Sequence, residues 1–465
     1  MNLTLLHGDC REVMASLDEC SVDSIVCDPP YGLEFMGKDW DKLGAALETA
    51  DEGTDRSHPF RDGSQRFRYG YSVAGMQEWH RLWAVEAFRV LKPGGHMVAF
   101  SAPRTYHRMA VAIEDAGFEI RDCLMWLFGS GFPKSLDVSK ALDKAAGAER
   151  EITGTARGHV DSGGVHDDDN YEWQPTYSRR DAPATDLARA WEGWGTALKP
   201  AYEPIVLARK PLQGTVAGNV ERWGTGGLNI DATRIGTELL SAHGGGVNGD
   251  RVYGGGDGIP AIEAGANPHV GRWPANVLLD AEAARLLDAM SGELNGSQPI
   301  DRPEGSERFN GTDYNGGEAY KTAAYQSPGY LDRGGASRFF YTAKASRSER
   351  EFGLDDLDPT RRSDGRDKDI ENPRLRTNER RNDHPTVKPL DLMRWLCRLI
   401  TPPNGTILDP FMGSGSTGMA ALDEGFWFIG IDMDEHYIEI ARRRIERRHL
   451  IEPLPQREAG QGVLL

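Results

Sequence analysis

The sequence predicts an α/β fold, in which a largely parallel sheet is covered by helices on both faces. Apolar runs short enough to be buried strands alternate along the chain with longer amphipathic segments typical of helices. One such strand near each end of the chain leads into a distinctive turn, at residues 28–31 and 409–418. The 465 residues, 39% of them hydrophobic, can bury a core and allow two or three domains.

The N-terminal part begins with two predicted strands, at residues 3–9 and at residues 24–27. The first of them ends in the acid Asp9. A broad apolar face on residues 75–91 predicts a helix that Pro93-Gly94-Gly95 ends. We expect the aromatic residues of this helix to pack in the core rather than to bind a base. Further strands are predicted at residues 97–100, 123–128 and 205–208.

The C-terminal part resumes the alternation of helices and strands. Pro389 suits the first position of a helix that runs through Ile400. An apolar strand, a glycine-rich turn and a helix follow, and then a second strand and a last helix from about Glu435. The strands of this part are predicted at residues 406–409 and 428–432.

The tetrapeptide Asp28-Pro29-Pro30-Tyr31 ends the second predicted strand and can bind an amino group and a flat ring together. The Asp28 carboxylate can accept a hydrogen bond from an amine, and Tyr31 offers a π face to a base. The two prolines stiffen the turn and have no backbone donor, which leaves nearby carbonyls free to accept a second amine hydrogen. This chemistry suits the amino nitrogen of adenine or cytosine.

The glycine-rich turn after residues 406–409 lets the backbone approach a nucleotide-like ligand closely. The next strand ends in Asp432, at about the ~20-residue spacing where an acid would bind ribose hydroxyls. The turn lacks a Gly-Lys-Ser/Thr ending for phosphates, which argues against a nucleoside triphosphate. A small, cationic, ribose-bearing ligand fits better, and S-adenosylmethionine is the first candidate.

With these motifs the chain resembles the amino-group DNA methyltransferases of the N6-adenine/N4-cytosine type. The resemblance rests on Asp28-Pro29-Pro30-Tyr31, on the turn from Asp409 to Gly415 and on His384-Pro385-Thr386-Val387-Lys388-Pro389. It extends through residues 91–95 and 199–206. The catalytic motif comes first and the cofactor motif last, which is the permuted order called the β class.

The resemblance implies a Rossmann-like S-adenosylmethionine-dependent methyltransferase sheet, circularly permuted, with a large inserted target-recognition region. Strands from both ends of the chain must then share one sheet, so we expect neither end to fold well without the other. The implied catalytic residues are Asp28, Pro29, Pro30 and Tyr31. The implied cofactor-binding residues are Asp9, Cys10, Thr386, Lys388, Asp409, Phe411, Gly413, Gly415 and Asp432.

Two of these assignments have a plainer alternative: Asp9 could be only a helix N-cap, and Lys388 only a surface lysine.

The predicted organisation is a methyltransferase domain in two parts, residues 1–212 and 384–450, with a tail at 451–465. Residues 213–383, rich in glycine and polar side chains, are the predicted target-recognition region. The alternative for their glycine-rich tracts is a disordered insertion. Residues 41–71 suit a mobile lid beside the catalytic motif.

The net charge of −17, from 54 basic and 71 acidic residues, is unusual for a DNA-binding protein, so local charge matters more. Residues 360–381 carry eight basic against five acidic residues, and face either DNA or solvent. The arginines among residues 442–448 are expected to complement a helix dipole. The five cysteines form no Cys-x-x-Cys pair, so neither a zinc site nor a disulfide framework is expected.

The predicted reaction is sequence-specific methylation of adenine N6 in duplex DNA, on a base flipped into the pocket. N4-cytosine methylation is the alternative, followed by an RNA methyltransferase and a non-catalytic DNA-binding module. Cys27 precedes Asp28 and is interpreted as a core residue rather than as the thiolate of a C5-methyltransferase. No apolar run is long enough to span a membrane, and a cytoplasmic location is expected. A homodimer and a restriction endonuclease on a separate chain are compatible with these features.

Overall fold

A nine-stranded sheet forms the centre of the protein in the computed structural model. Its strand order is β1-β19-β18-β2-β3-β7-β4-β10-β15, and β7 alone runs antiparallel to its two neighbours. The strands of the sheet are β1 (Leu3–His7), β2 (Val22–Cys27), β3 (Leu91–Phe100), β4 (Glu119–Leu127), β7 (Tyr202–Arg209), β10 (Val277–Asp280), β15 (Tyr341–Ala343), β18 (Thr406–Asp409) and β19 (Trp427–Asp432). The structure describes residues 3–31, 73–129, 131, 135–157, 177–240, 269–293, 300–302, 307–308, 320–321, 325–327, 334–343, 347–361, 379–384 and 386–451.

The two C-terminal strands lie inside the N-terminal part of the sheet. Strand β19 pairs with β1, and β18 pairs with β2, both in parallel. Because β18 and β19 also pair with each other, they fill the space between the first two strands of the chain. The prediction that both ends of the chain share one sheet is therefore confirmed.

Helices cover both faces of this sheet. They are α1 (Cys10–Ala15), α2 (Val73–Val90), α3 (Tyr106–Asp115), α4 (Val138–Ala145), α5 (Asp186–Ala190), α6 (Val216–Trp223), α7 (Ala281–Ser291), α8 (Arg347–Glu351), α9 (Leu390–Ile400), α10 (Ser416–Asp423) and α11 (Glu435–Ile451). Short 3-10 helices lie at Asp231–Thr233 and Ala336–Phe339.

Successive side chains of a strand point to opposite faces of the sheet, and each face has its own hydrophobic core. In β2, Ile25 and Cys27 join a core with side chains of α1, α2 and α3, whereas Val26 faces a core built from α9, α10 and α11. Successive residues of a strand point to opposite faces, so a strand buried on both faces must be apolar throughout. This explains why the central strands are predicted correctly from their continuous apolar runs.

The remaining strands form two-stranded ribbons outside the main sheet. The pairs are β5 (Glu151–Arg157) with β6 (Tyr177–Ala182), β8 (Ile235–Leu240) with β9 (His269–Arg272), β11 (Ile300–Arg302) with β14 (Tyr325–Ser327), β12 (Glu307–Arg308) with β13 (Tyr320–Lys321), and β16 (Thr360–Arg361) with β17 (Glu379–Arg380). Among the helices that the structure describes, none is long and apolar enough to cross a membrane.

The middle of the chain contributes more to the main sheet than the sequence predicts. Strands β10 and β15 extend the sheet beyond β4, although both lie within residues 213–383. They are only four and three residues long, so their pattern does not distinguish a sheet strand from an ordered loop. The domain boundaries at 212 and 383 stay predictions.

We expect a chain that ends at residue 383 not to fold, since it lacks α9 and the two strands that separate β1 from β2. Without these strands β1 has no partner in the sheet, and β2 has no partner on the side opposite β3. Thermal unfolding followed by circular dichroism should show no cooperative transition for this fragment. A chain that ends at Ile451 keeps every strand of the sheet and should unfold cooperatively. A cooperative transition in the shorter fragment would contradict this prediction.

Candidate active site

Acidic residues collect at one edge of the sheet, where the parallel strands end. Asp28 directly follows β2, while Asp409 and Asp432 are the last residues of β18 and β19. These three strands are near neighbours in the sheet, so their carboxyl ends meet at one place. Ligands of open α/β sheets bind outside the carboxyl ends of the strands.

Asp28 makes a close ion pair with Lys388, which precedes α9. The Lys388 Nζ lies 2.6 Å from Oδ2 of Asp28, and the lysine side chain is only 7% exposed. The same Nζ lies 4.8 Å from the centre of the Phe100 ring, at the end of β3. The lysine predicted at the cofactor is therefore paired with the predicted catalytic carboxylate, and it is not the surface lysine of the alternative interpretation.

Tyr31 and Glu203 complete this cluster. The Tyr31 hydroxyl donates to Oδ1 of Asp28 at 2.7 Å and lies 3.5 Å from Oε2 of Glu203. Lys388 Nζ is likewise 3.5 Å from that Glu203 oxygen. We define these four residues, Asp28, Tyr31, Glu203 and Lys388, as the carboxylate cluster.

Burial shifts the titration of the carboxylate cluster. Desolvation, together with the Asp28 charge, raises the pKa of Tyr31 well above its usual value. Burial and the Asp28 charge also raise the pKa of Glu203, against the opposing effect of Lys388. Burial alone would lower the pKa of Lys388, but the charges of Asp28 and Glu203 outweigh it and raise the pKa. Lys388 is therefore a cation at neutral pH.

The glycine-rich turn between β18 and α10 has a conformation that side chains resist. Gly413 and Gly415 have φ angles of +52° and +81°, in the left-handed region. A Cβ on Gly413 would lie 2.6 Å from the His384 ring, and one on Gly415 would lie 2.9 Å from Ala441. Both glycines are therefore required by backbone angle and by space.

Asp432 fixes the turn from the neighbouring strand. Its Oδ2 accepts a hydrogen bond from the Gly413 N–H at 2.8 Å, and its Oδ1 accepts one from the Asp434 N–H at 2.9 Å. Burial raises the pKa of this carboxyl. The turn also presents the hydroxyl of Ser416, the first residue of α10, which is buried and has no hydrogen-bond partner among the described residues.

Asp409 is the most deeply buried of the three acids. Its Oδ1 accepts a hydrogen bond from the Phe411 N–H at 3.0 Å. Burial raises its pKa to about 7, against the effect of hydrogen bonds from Thr417 and the Phe411 backbone, and the nearby Asp28 charge adds to the rise. Because β18 and β2 pair directly, the turn and the carboxylate cluster are close neighbours.

Asp9 and Cys10 lie beside Asp432, since His7 of β1 is in register with Asp432 and the Gly8 N–H donates to its carbonyl. The Asp9 carboxylate caps α1 through the Arg11 N–H at 2.8 Å and pairs with the Arg11 guanidinium at 2.6 Å. The N-cap alternative thus describes its bonding, while its position fits the predicted cofactor site. Cys10 is buried, which raises its pKa to about 12.

Aromatic side chains of α2 support Phe411 of the turn. The Trp83 ring meets the Phe411 ring edge to face at 5.3 Å, and the Trp79 ring lies 5.8 Å away. Trp83 is fully buried, so the prediction that these aromatic residues pack in the core is confirmed for Trp83.

Arg444 of α11 braces the other side of the turn. It is 2% exposed and donates to both the carbonyl and the hydroxyl oxygen of Ser414. Its second terminal nitrogen donates to the Glu349 carbonyl in α8 at 2.9 Å. Burial lowers the pKa of Arg444 to about 10. The sequence predicts only a helix-dipole role for this arginine, because nothing in a run of arginines identifies the one that points inward.

The structure brings most of the predicted site together. Thr386 lies between His384, whose ring faces Gly413, and Lys388, and its N–H points to His384 Nδ1 at 3.4 Å. Glu203 is the main residue that sequence reasoning missed, although it stands in the segment 199–206 that carries part of the resemblance. The predicted lid at 41–71 and most of the basic segment at 360–381 lie outside the described residues.

The described residues contain no cluster of three or more His, Cys, Asp or Glu side chains that could hold a metal ion. Cys27 is fully buried, and desolvation raises its pKa well above the usual value. It is a core residue of β2, as predicted.

The chain matches the model of a known protein family. The family model for the N6/N4 DNA methylases, described as DNA methylase, matches residues 22–145 and 298–443, which is more than half of the chain. The matched residues include Asp28, Lys388 and the glycine-rich turn, but not Glu203.

Individual relatives are shorter matches. Over 240 residues the chain is 28% identical to the type II methyltransferase M.HindIII of Haemophilus influenzae, which covers 48% of this chain and 64% of that protein. Over 63 residues it is 48% identical to the type II methyltransferase M2.DpnII of Streptococcus pneumoniae, covering 14% of this chain and 24% of that one. The chain thus spans less than two thirds of the curated relatives it matches.

Among solved structures, M1.HpyAVI aligns over 95% of this chain and 98% of its own, with 13% identity and a TM-score of 0.35. The cytosine-N4-specific PvuII DNA methyltransferase aligns over 96% of this chain and 86% of its own, with 12% identity and a TM-score of 0.39.

Replacing Gly413 by alanine should destabilise the protein by about 2–5 kcal/mol, since the left-handed backbone costs about 1–2 kcal/mol and the overlap with His384 adds about 1–3 kcal/mol. Chemical denaturation measures the change. Gly425→Ala is the matched control, since Gly425 has a φ of +79° but no atom within 4 Å of its added Cβ. Equal losses in the two variants would refute the steric contribution at Gly413.

Asp409→Asn should stabilise the protein at high pH only. The Asp409 pKa is about 7 in the folded protein, above its ordinary value of 3.8, so ionisation favours the unfolded state. Below about pH 4 the carboxyl is protonated in both states, and above about pH 7 its full cost, up to about 4 kcal/mol, is present.

Denaturation at several pH values should therefore show little difference between Asp409→Asn and wild type near pH 4, and greater stability of the variant above pH 7. The exposed Asp355→Asn is the control substitution, and its effect should not follow this profile. An Asp409→Asn effect of the same size at both ends of the pH range would contradict the assignment.

Proposed function

Since the chain belongs to the N6/N4 DNA methylase family, we propose that it transfers a methyl group from S-adenosylmethionine to the N6 amino group of adenine in duplex DNA. The observation that carries this proposal is that the carboxylate cluster and the glycine-rich turn lie next to each other at one edge of the sheet. The carboxylate cluster at the end of β2 suits an amino group, and the glycine-rich turn at the end of β18 suits a nucleoside. The motif order supports assignment to the permuted class.

The turn fits the nucleoside part of the proposed cofactor. The left-handed glycines give the tight turn that a backbone needs to approach a ligand, and Asp432 carries a carboxylate that ribose hydroxyls could share with the Gly413 N–H. The unpartnered Ser416 hydroxyl is a further polar group for a ligand at this helix N-terminus. Asp9, Cys10, Asp409, Phe411 and Thr386 surround the same edge.

S-adenosylmethionine supplies, when bound, an electrophilic methyl group on a sulfonium centre. The chain's own residues would prepare the acceptor. The Asp28 carboxylate would accept a hydrogen from the exocyclic amine, and a carbonyl of Pro29 or Pro30 would accept the other. The nitrogen lone pair is then free to form the new N–C bond as the methyl group leaves the sulfonium sulfur, and the methylated nitrogen loses its extra proton to solvent. Tyr31 offers its ring to the base. Because these groups are fixed at a strand end, most of the catalysis would come from positioning.

Adenine is the proposed base because Asp, rather than Ser, stands first in the Asp28-Pro29-Pro30-Tyr31 motif. The alternative is cytosine N4, whose amine offers the same hydrogen-bond donors to Asp28. The PvuII enzyme, whose name states cytosine-N4 specificity, has too little similarity to this chain to decide between the bases. The identity of the methylated nucleoside distinguishes the two bases directly.

An amino group inside a base pair cannot reach a buried carboxylate, so we propose that the target base is flipped out of the duplex. Residues 213–383 are the proposed target-recognition region. In support, the family model leaves residues 213–297 of this region unmatched, as expected of a part that varies between relatives with different target sequences, whereas residues 298–383 are matched. A restriction endonuclease on a separate chain is a compatible partner, and the DNA substrate places the reaction in the cytoplasm.

The test is to express the chain in a host that lacks DNA methylation. Single-molecule sequencing should find methylated adenine in one recurring sequence, and mass spectrometry of digested nucleosides should find N6-methyladenine. N4-methylcytosine instead would keep the reaction and overturn the base. Unmodified DNA from cells that contain the folded protein would contradict the proposed function.

Asp28→Ala should abolish methylation and leave cofactor binding largely intact, because the glycine-rich turn and Asp432 are unchanged. Methyl transfer to DNA and calorimetric binding of S-adenosylmethionine measure the two properties separately. Intact binding also reports that the variant is folded. Retained turnover would remove Asp28 from the mechanism.

A further inference from the structure

Glu203 belongs to the carboxylate cluster, but neither the sequence motifs nor the proposed function gives it a task. It lies near the start of β7, and Ile205 of that strand is in register with Phe100 of β3. Glu203 therefore lies further toward the catalytic edge, where Lys388 Nζ is close to the Phe100 ring. The Glu203 side chain is partly buried, and a carboxylate shielded from water next to a reaction centre is costly unless it is paired.

Lys388 lies between two carboxylates. Its Nζ is 2.6 Å from Asp28 and 3.5 Å from Glu203, so a small movement exchanges its closer partner. The Tyr31 hydroxyl spans the same two groups, at 2.7 Å from Asp28 and 3.5 Å from Glu203. The two carboxylates and the ammonium give the cluster a net charge of −1 when both acids are ionised.

This arrangement is unfavourable for the proposed reaction mainly because of charge. Asp28 must accept a hydrogen from the target amine, and each of its oxygens already receives one hydrogen bond, from Tyr31 and from Lys388, which leaves one lone pair on each oxygen. The amine also becomes positively charged as it gains a methyl group. An ammonium held on Asp28 would repel that charge, and it would repel it strongly in a buried site.

Resting on the proposed function, we propose that Glu203 is a positioning residue that takes Lys388 from Asp28 when the target amine arrives. With the ammonium on Glu203, Asp28 is free to accept the amine hydrogen. The cluster keeps its net charge of −1, which favours the positive charge that develops on the reacting nitrogen. No bond to Lys388 or Glu203 is made or broken; only the hydrogen-bond partner of the ammonium changes.

Two features of the structure suit this exchange. The Lys388 ammonium rests near the Phe100 ring, a site that holds a cation without fixing it to one acceptor. Glu203 extends from a strand that is hydrogen-bonded on both sides, by β3 and β4, so the receiving carboxylate is held in place by the sheet. The lysine, which lies ahead of α9, is the part that moves.

Glu203→Gln tests the proposal, since the amide keeps the shape of the side chain and removes the charge that would receive Lys388. We expect kcat for DNA methylation to fall roughly tenfold to hundredfold. The Kd for S-adenosylmethionine and the KM for DNA should stay within about twofold, because the interaction matters in the transition state. The conservative Glu203→Asp should recover part of kcat.

The pH profile distinguishes this role from a structural one. The ionisable groups that face Glu203 among the described residues are Asp28 and Tyr31 from the end of β2 and Lys388 ahead of α9. Protonation of Glu203 has the same effect as the amide. Wild-type kcat should therefore fall with decreasing pH toward the Glu203→Gln value, and the difference between the two should shrink.

Glu119→Gln is the matched control. Glu119 pairs with Arg209 at 2.6 Å, on β4 and β7 as well but at the edge of the sheet away from the site. This variant should keep wild-type kcat and its pH profile. A Glu203→Gln variant with wild-type kcat, or with a raised KM alone, would overturn the inference while wild-type methylation stands. A wild-type chain that methylates no DNA would overturn the proposed function and this inference with it.

Discussion

The pairing of β18 with β2 is the constraint on which the rest of the structure depends. It joins residues almost four hundred positions apart and brings Asp28 and Asp409 to neighbouring strand ends. Neither half of the site exists without it, because the carboxylate comes from one end of the chain, while the glycine-rich turn and Lys388 come from the other. The entropy of closing so long a loop grows only slowly with length, and two extensive cores offset it.

The buried carboxyl groups at this edge of the sheet destabilise the folded protein when they are ionised. Asp409, Asp432 and Glu203 all have raised pKa values because the sheet and its helices exclude water from their carboxyls. Lys388 reduces this cost where it is placed between two acids, and backbone N–H groups reduce it at Asp409 and Asp432. A protein that needed only stability would replace these groups with apolar ones. Their presence at the strand ends is better explained by a ligand with donors and a positive charge.

The sequence predicts the central sheet well because its strands are apolar on both faces and end in acids or glycines. Residues 24–27, 406–409 and 428–432 are all strands in the structure. Strands β10 and β15 were not predicted, because three or four residues carry no usable periodicity. In the site, Asp28 and the turn follow from local chemistry, whereas Glu203 and Arg444 do not. Their roles depend on contacts across 172 and 30 residues, which no local pattern encodes.

Those distant contacts also connect the middle of the chain to the site. The Glu349 carbonyl accepts from Arg444, which holds the turn at Ser414, and the Glu349 carboxylate accepts from the Leu390 N–H at 3.2 Å, two residues after Lys388. Helix α8 thus contacts the supports of both halves of the site. Asn382 and His384 are tied to the same helix through Arg350.

Because α8 lies within the predicted target-recognition region, a displacement at its N-terminal end would have two consequences in the site. It shifts the residue that braces the glycine-rich turn, and it shifts the first turn of α9, which fixes the backbone next to Lys388. Buried hydrogen bonds of this kind are costly to break one at a time, since each break leaves a desolvated partner unsatisfied. If the middle of the chain recognises the target sequence as proposed, these hydrogen bonds would connect recognition to the turn and to the backbone next to Lys388.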